Sequence, residues 1–124
     1  MPKSEPNPDG LMAAVRGALT KEPTFTQADG TVVRMAEVPE ETRVQLQAQV
    51  EAFVNQIASS RDLAVRFDEA VRSEDKGAVT QIIRESGVSK DFEIKIDEID
   101  PDARITFRVC WVFGLICQTI TVAW

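Results

Sequence analysis

The chain has no histidine, no tyrosine and only two cysteines in 124 residues. Without histidine it cannot build a Ser-His-Asp or Cys-His nucleophile or the common zinc sites, and it lacks the side chain that ordinarily titrates near neutral pH. A glycine-rich phosphate loop, a nucleophile elbow and a Cys-x-x-Cys redox motif are also missing. These absences argue against an enzyme, and no catalytic, cofactor-binding or metal-ligating residue is assigned. Excess positive charge is absent too. Fourteen basic and 20 acidic residues leave a net charge of −6, and no cluster of Lys and Arg offsets it locally. Binding to nucleic acid or to an anionic membrane needs a cationic surface, so neither is expected.

Long apolar helical runs are lacking as well. The opening residues, MPKSEPNPDG, show no basic region followed by an apolar stretch, so they do not read as a signal peptide. The most apolar segment, Val109 to Trp124, has 16 residues without charge. A membrane-spanning helix needs roughly 20, and this segment is β-branched and interrupted by Gln118, Thr119 and Thr121. The expectation is a cytoplasmic protein that does not span a membrane, with export open only to a product derived from it.

What is present is a sharp boundary. Every charged residue lies at or before Arg108, and both cysteines and both tryptophans lie after it in VCWVFGLICQTITVAW. An acidic body therefore carries an uncharged tail. Such a tail is either the inner strands of a sheet or a separate segment carried by a leader.

Periodicity organises the rest. Residues 1–8 hold three prolines and read as a disordered arm. Asp9 can cap a short helix with Leu11, Met12, Val15 and Leu19 as its stripe. Thr24–Gln27 and Thr31–Met35 flank Asp29-Gly30 and predict a small hairpin. A helix opened by Pro39 carries Leu46, Val50, Phe53, Val54 and Ile57, and Ser60 recaps the chain. Two further helices follow, over about 61–72 and 75–85, and Gly87 ends the last. The period then falls to two. Phe92, Ile94 and Ile96 alternate with charges, and Asp100-Pro101-Asp102 makes a turn. Phe113-Gly114 then splits the tail into strands of about 104–112 and 115–123.

The fold class is α+β: a short N-terminal helix and small hairpin, a three-helix segment, and a C-terminal three-stranded antiparallel meander. The organisation is the arm, a mainly helical domain over 9–88, and the meander over 89–124. Phe53, Val54, Phe67, Val79, Ile82 and Ile83 suffice to cover a small sheet. Each such side chain contributes roughly 1.5–3 kcal/mol when fully buried, so helices and sheet can share one core.

Cys110 and Cys117 are equidistant from Phe113-Gly114 and face each other in a symmetric hairpin. They can be two small buried apolar residues or a cross-strand disulfide, and a bridge fits best at a non-hydrogen-bonded pair. A cytosol would keep the pair reduced. Asp97, Glu98, Asp100 and Asp102 read as a solvated turn, since they lack the glycine and terminal glutamate of a calcium loop. Arg61 and Arg66, near Asp62 and Asp68, read as helix-surface charges.

The stretch from about Val50 to Val88 resembles the nitrogen-fixation-associated leader peptides of ribosomally made natural products. The likeness rests on Phe53 with Ile57, on Asp62-Leu63 after a break, and on Phe67 and Ala70. Asp75 in a turn and Glu85-Ser86-Gly87 complete it. That family's leaders commonly end in a small-residue motif such as Gly-Gly, and this chain has no such pair. The resemblance implies a helical leader that docks a modifying enzyme through Phe53, Ile57, Leu63 and Phe67, with the tail as substrate. The modifiable residues are then Cys110, Cys117, Thr119, Thr121, Trp111 and Trp124. The alternative is a small non-catalytic assembly or binding protein whose C-terminal hairpin pairs with a partner subunit or a second copy of the chain. Neither reading calls for a cofactor.

Overall fold

A computed structural model describes residues 5–111 and 116–124. Among these residues the chain forms four α-helices and five strands: α1 (Pro8–Ala18), β1 (Thr24–Gln27), β2 (Val32–Val33), α2 (Glu40–Ser59), α3 (Arg61–Arg72), α4 (Lys76–Glu85), β3 (Phe92–Asp100), β4 (Arg104–Trp111) and β5 (Ile116–Ala123). The class is α+β. The strands join into one antiparallel sheet of order β2-β1-β5-β4-β3. The expected three-stranded meander is present as β3-β4-β5, but it is part of a five-stranded sheet rather than a sheet of its own. The N-terminal hairpin docks its first strand onto β5, with Thr24 opposite Thr119 and Thr26 opposite Cys117. Local periodicity carries no information about which distant edge a hairpin will pair with.

The helix ends follow from local chemistry. Asn7, not Asp9, caps α1 by accepting from the Gly10 N–H at 3.1 Å, and Pro8 takes the first helical position. Part of the expected arm is therefore ordered. The Ser60 hydroxyl accepts from Leu63 N–H at 3.2 Å and the Asp75 carboxylate from Ala78 N–H at 3.0 Å, starting α3 and α4. Gly87 has φ +110°, which favours glycine, and lies just beyond α4. Gly30, at φ +93°, completes the hairpin turn beside Asp29. The second hairpin strand is shorter than expected, because Met35–Glu37 forms a 3₁₀ turn instead. The expected turn at Phe113-Gly114 lies outside the described residues.

All four helices lie against the sheet or one another. α1 packs on α2, α3 and β5, α2 lies over β4 and β5, and α3 and α4 reach β3. Strand alternation directs Ile105, Phe107 and Val109 of β4 and Ile120 and Val122 of β5 into the buried layer. Phe53, Phe67 and Phe107 are fully buried, with ring centroids 5.4 Å apart between Phe53 and Phe67 and 5.2 Å between Phe53 and Phe107. These separations suit tilted and edge-to-face aromatic contact. Arg16 of α1 donates to the Ala58 carbonyl at 2.9 Å, so the first helix caps the end of the second. No described helix is long and apolar enough to cross a membrane.

The sheet's outer strands are β2 and β3. β3 protects its edge with charge and with a register shift between Ile96 and Glu98 that makes Asp97 the extra residue. Truncation of the central aromatic contact tests the shared core. Phe107→Ala is expected to lower unfolding free energy by about 3–5 kcal/mol, read from urea denaturation followed by circular dichroism, with helix and strand signals lost in one transition.

Candidate functional site

The uncharged tail is the middle of the sheet. β5 has β1 on one side and β4 on the other, and β4 lies between β5 and β3. The last pair of the β4–β5 ladder is Cys110 with Cys117, and the two form a disulfide with an S–S distance of 2.05 Å. Their Cα atoms are 3.9 Å apart, on the narrow side for a strand pair. Both are buried. Because they alternate with Val109 and Gln118, they point to the face opposite the helices. Closing a loop of this length contributes roughly 2 kcal/mol in the chain-entropy account.

The remaining tail residues are dispersed. Trp111 is half-buried, its ring edge-on to Phe92 at 5.0 Å. The Thr121 hydroxyl shares a hydrogen bond with that of Thr106 at 3.0 Å. Thr119 lies opposite Arg108 on one neighbour and Thr24 on the other. Trp124 is held at the far end of the strand, where its backbone N–H donates to the Ala103 carbonyl at 2.9 Å. Phe53, Ile57, Leu63 and Phe67, expected as a docking surface, are buried in the core and present no such surface in this fold. The apolar faces of α2 and α3 that carry them are turned into the shared core.

Asp68, named in the sequence only as a neighbour of the two surface arginines, is fully buried. Its Oδ1 accepts from the Arg72 Nε at 2.6 Å and the Trp124 indole at 3.2 Å, and its Oδ2 accepts from the Asn7 N–H at 2.6 Å. Arg61 does lie at the surface, where it pairs with Asp9. Arg66 pairs with Glu85 at 2.7 Å, and that hydrogen bond, followed by the carboxylate's charge, raises the guanidinium further above its ordinary value.

The acidic stretch is partnered within the sheet. Asp97 takes both Arg108 Nε and Nη2, at 2.8 and 3.0 Å, and Arg108 also donates to the Ala28 carbonyl at 3.1 Å. Arg108 therefore straps β3 to the N-terminal hairpin. Glu98 pairs with Arg104, and Asp100 accepts from Asp102 N–H at 2.8 Å. In the hairpin turn the Thr31 backbone N–H, then its hydroxyl, lower the Asp29 carboxyl below its ordinary value, with a smaller pull from Arg108. Among the described residues no group of three or more Cys, Asp or Glu side chains is placed to hold a metal ion.

One concavity adjoins the tail. β1 begins at Thr24, opposite Thr119, so β5 runs on beyond it. There the end of α1, the connection to β1, the middle of α2 and residues 118–121 of β5 surround a cleft of about 320 Å³. Two candidate residues, Thr119 and Thr121, line it, and so does Gln118. Gln118 is 7% exposed and, among the described residues, its Oε1 has no hydrogen-bond partner. The inward alternation of β5 carries the sequence signal for Gln118, a polar residue between Ile116 and Ile120. No protein-family model, no curated protein and no solved structure matches this chain.

The Asp68 node gives a direct test. Asp68→Ala is expected to destabilise the protein by about 3–5 kcal/mol, the range for breaking a buried ion pair. Trp124→Phe, which loses the indole donor and part of the ring area against Phe67, costs at least about 1 kcal/mol in the wild-type background. In the Asp68→Ala background it costs measurably less, because its acceptor is already gone. Urea unfolding of the two single variants and the double variant reads that coupling.

Proposed function

We propose that this chain works as an intact, non-catalytic binding protein, with the C-terminal hairpin as permanent structure rather than a product segment. The observation that carries this reading is the position of residues 104–124. Their inward side chains Ile105, Phe107, Val109, Ile120 and Val122 belong to the same core as Phe53 and Phe67. Cutting ahead of them removes the central strands, so releasing the tail means unfolding the protein. The cleft along β5 supports a binding role, since it combines an apolar wall with polar groups.

The route by which a partner is met also changes. Pairing through the hairpin's own edge is disfavoured, because strands flank β4 on both sides and β5 over residues 116–119. A partner subunit or a second copy meets the finished surface instead. The disulfide favours an oxidising compartment over the cytosol, where glutathione and thioredoxin keep such thiols reduced.

Intact mass of the protein from its native cell, with and without reduction, tests this reading. The expected result is the whole unmodified tail, lighter than the reduced chain by the two hydrogens of a single disulfide. A freed peptide from residues 104–124, or a modification on Trp111, Thr119, Thr121 or Trp124, overturns it and restores the leader-and-product reading.

A further inference from the structure

We infer that the cleft beside β5 binds a small ligand through a primary ammonium group. The inference rests on the binding-protein reading in one respect only, that the hairpin stays in place.

Gln118 carries the argument. It lies on the inward face of β5, opposite Val109 on one side and Phe25 on the other. Every other inward residue of β4 and β5 from Ile105 to Val122 that reaches the core is apolar. A glutamine at that position encloses a carbonyl oxygen without a donor, which costs stability that a leucine or methionine would not. Among the residues around the cleft it alone is both polar and buried. Rotation about its last side-chain bond is soft and exchanges the ends of the amide. The carbonyl can therefore turn into the cleft when a donor enters, while the amide NH2 takes the enclosed position.

The surroundings select the donor. The charged side chains at the mouth are Glu22, Glu51 and Lys21, two carboxylates against one ammonium. The whole chain carries a net charge of −6. An anionic ligand is disfavoured both locally and at long range. An ammonium brings three donors and no acceptor, which matches one deep amide carbonyl and the carboxylates at the rim. Val50, Ile120 and Pro23 supply an apolar wall for the carbon body of such a ligand. The volume of about 320 Å³ holds it to a small molecule, at the low end of ligand pockets.

The test is nuclear magnetic resonance titration of the full, isotope-labelled chain. The probes are butylamine hydrochloride, a simple amine, and lysine amide, an amino-acid-like one, with sodium chloride at matched ionic strength as control. The expected result is saturable shifts confined to residues 47–51 and 118–121 and to the Gln118 side-chain amide, for one probe or both, which tells the two ligand sources apart. Gln118→Met, similar in size and free of the unpartnered oxygen, is expected to fold and to bind at least tenfold more weakly. Glu51→Gln, at an exposed position on α2, is expected to weaken binding several-fold without touching the core. Shifts that never saturate, that salt alone reproduces, or that persist at full affinity in both variants overturn the inference. If the native protein still carries its whole unmodified tail, that negative result removes this site and leaves the binding-protein reading standing.

Discussion

One buried carboxylate joins the two ends of the described chain. Asp68 sits fully enclosed on α3, and a charge taken out of water is tolerable only when its oxygens are occupied by good donors. Among the described residues three donors serve it, from separate parts of the fold: Asn7 ahead of α1, Arg72 one turn along α3, and the indole of Trp124 after β5. The first helix, the third helix and the last strand are thereby fixed to one point. The Trp124 ring adds apolar contact to the same anchor, lying 6.2 Å from Phe67, which in turn leads through Phe53 to Phe107 of β4.

With that anchor in place, the absence of charge in the tail has a physical explanation. β4 and β5 are interior strands, and their inward positions face the helices. Charge returns only where the opposite face is open, at Arg104 and Arg108, and both of these find carboxylates on β3. The disulfide closes the ladder at the other end of the same two strands. β5 is thus fixed at Cys117 by a covalent bond and at Trp124 by hydrogen bonds, with Gln118 facing inward between them.

Much of this was legible in the sequence and some was not. The periods of the four helices and the last three strands were clear, because each buries one face and the spacing records it. Ser60 and Gly87 marked helix boundaries by local chemistry. The joining of β1 to β5 was not legible, because strand pairing across about ninety residues leaves no local trace. The burial of Asp68 was not foreseen. It follows Phe67 directly, and Ala64 and Val71 lie four residues before and three after it, so it falls on the apolar side of α3; the Arg72 four residues on was the available signal of a paired, buried acid. Phe53 and Ile57 on one helix and Leu63 and Phe67 on the next were recognised as apolar, but an apolar stripe looks the same whether a partner or the chain's own core covers it.

The central claim is that residues 104–124 and the helices form one cooperative structure. Native-state hydrogen exchange on the full oxidised chain tests this most directly, because amide protection reports the free energy of opening segment by segment. The account predicts that the ladder amides of β4 and β5 exchange only through global unfolding, with the same protection as the buried turns of α2 around Phe53. Tail amides that exchange orders of magnitude faster, while α2 and α3 stay protected, would contradict it and return the tail to the status of a carried segment.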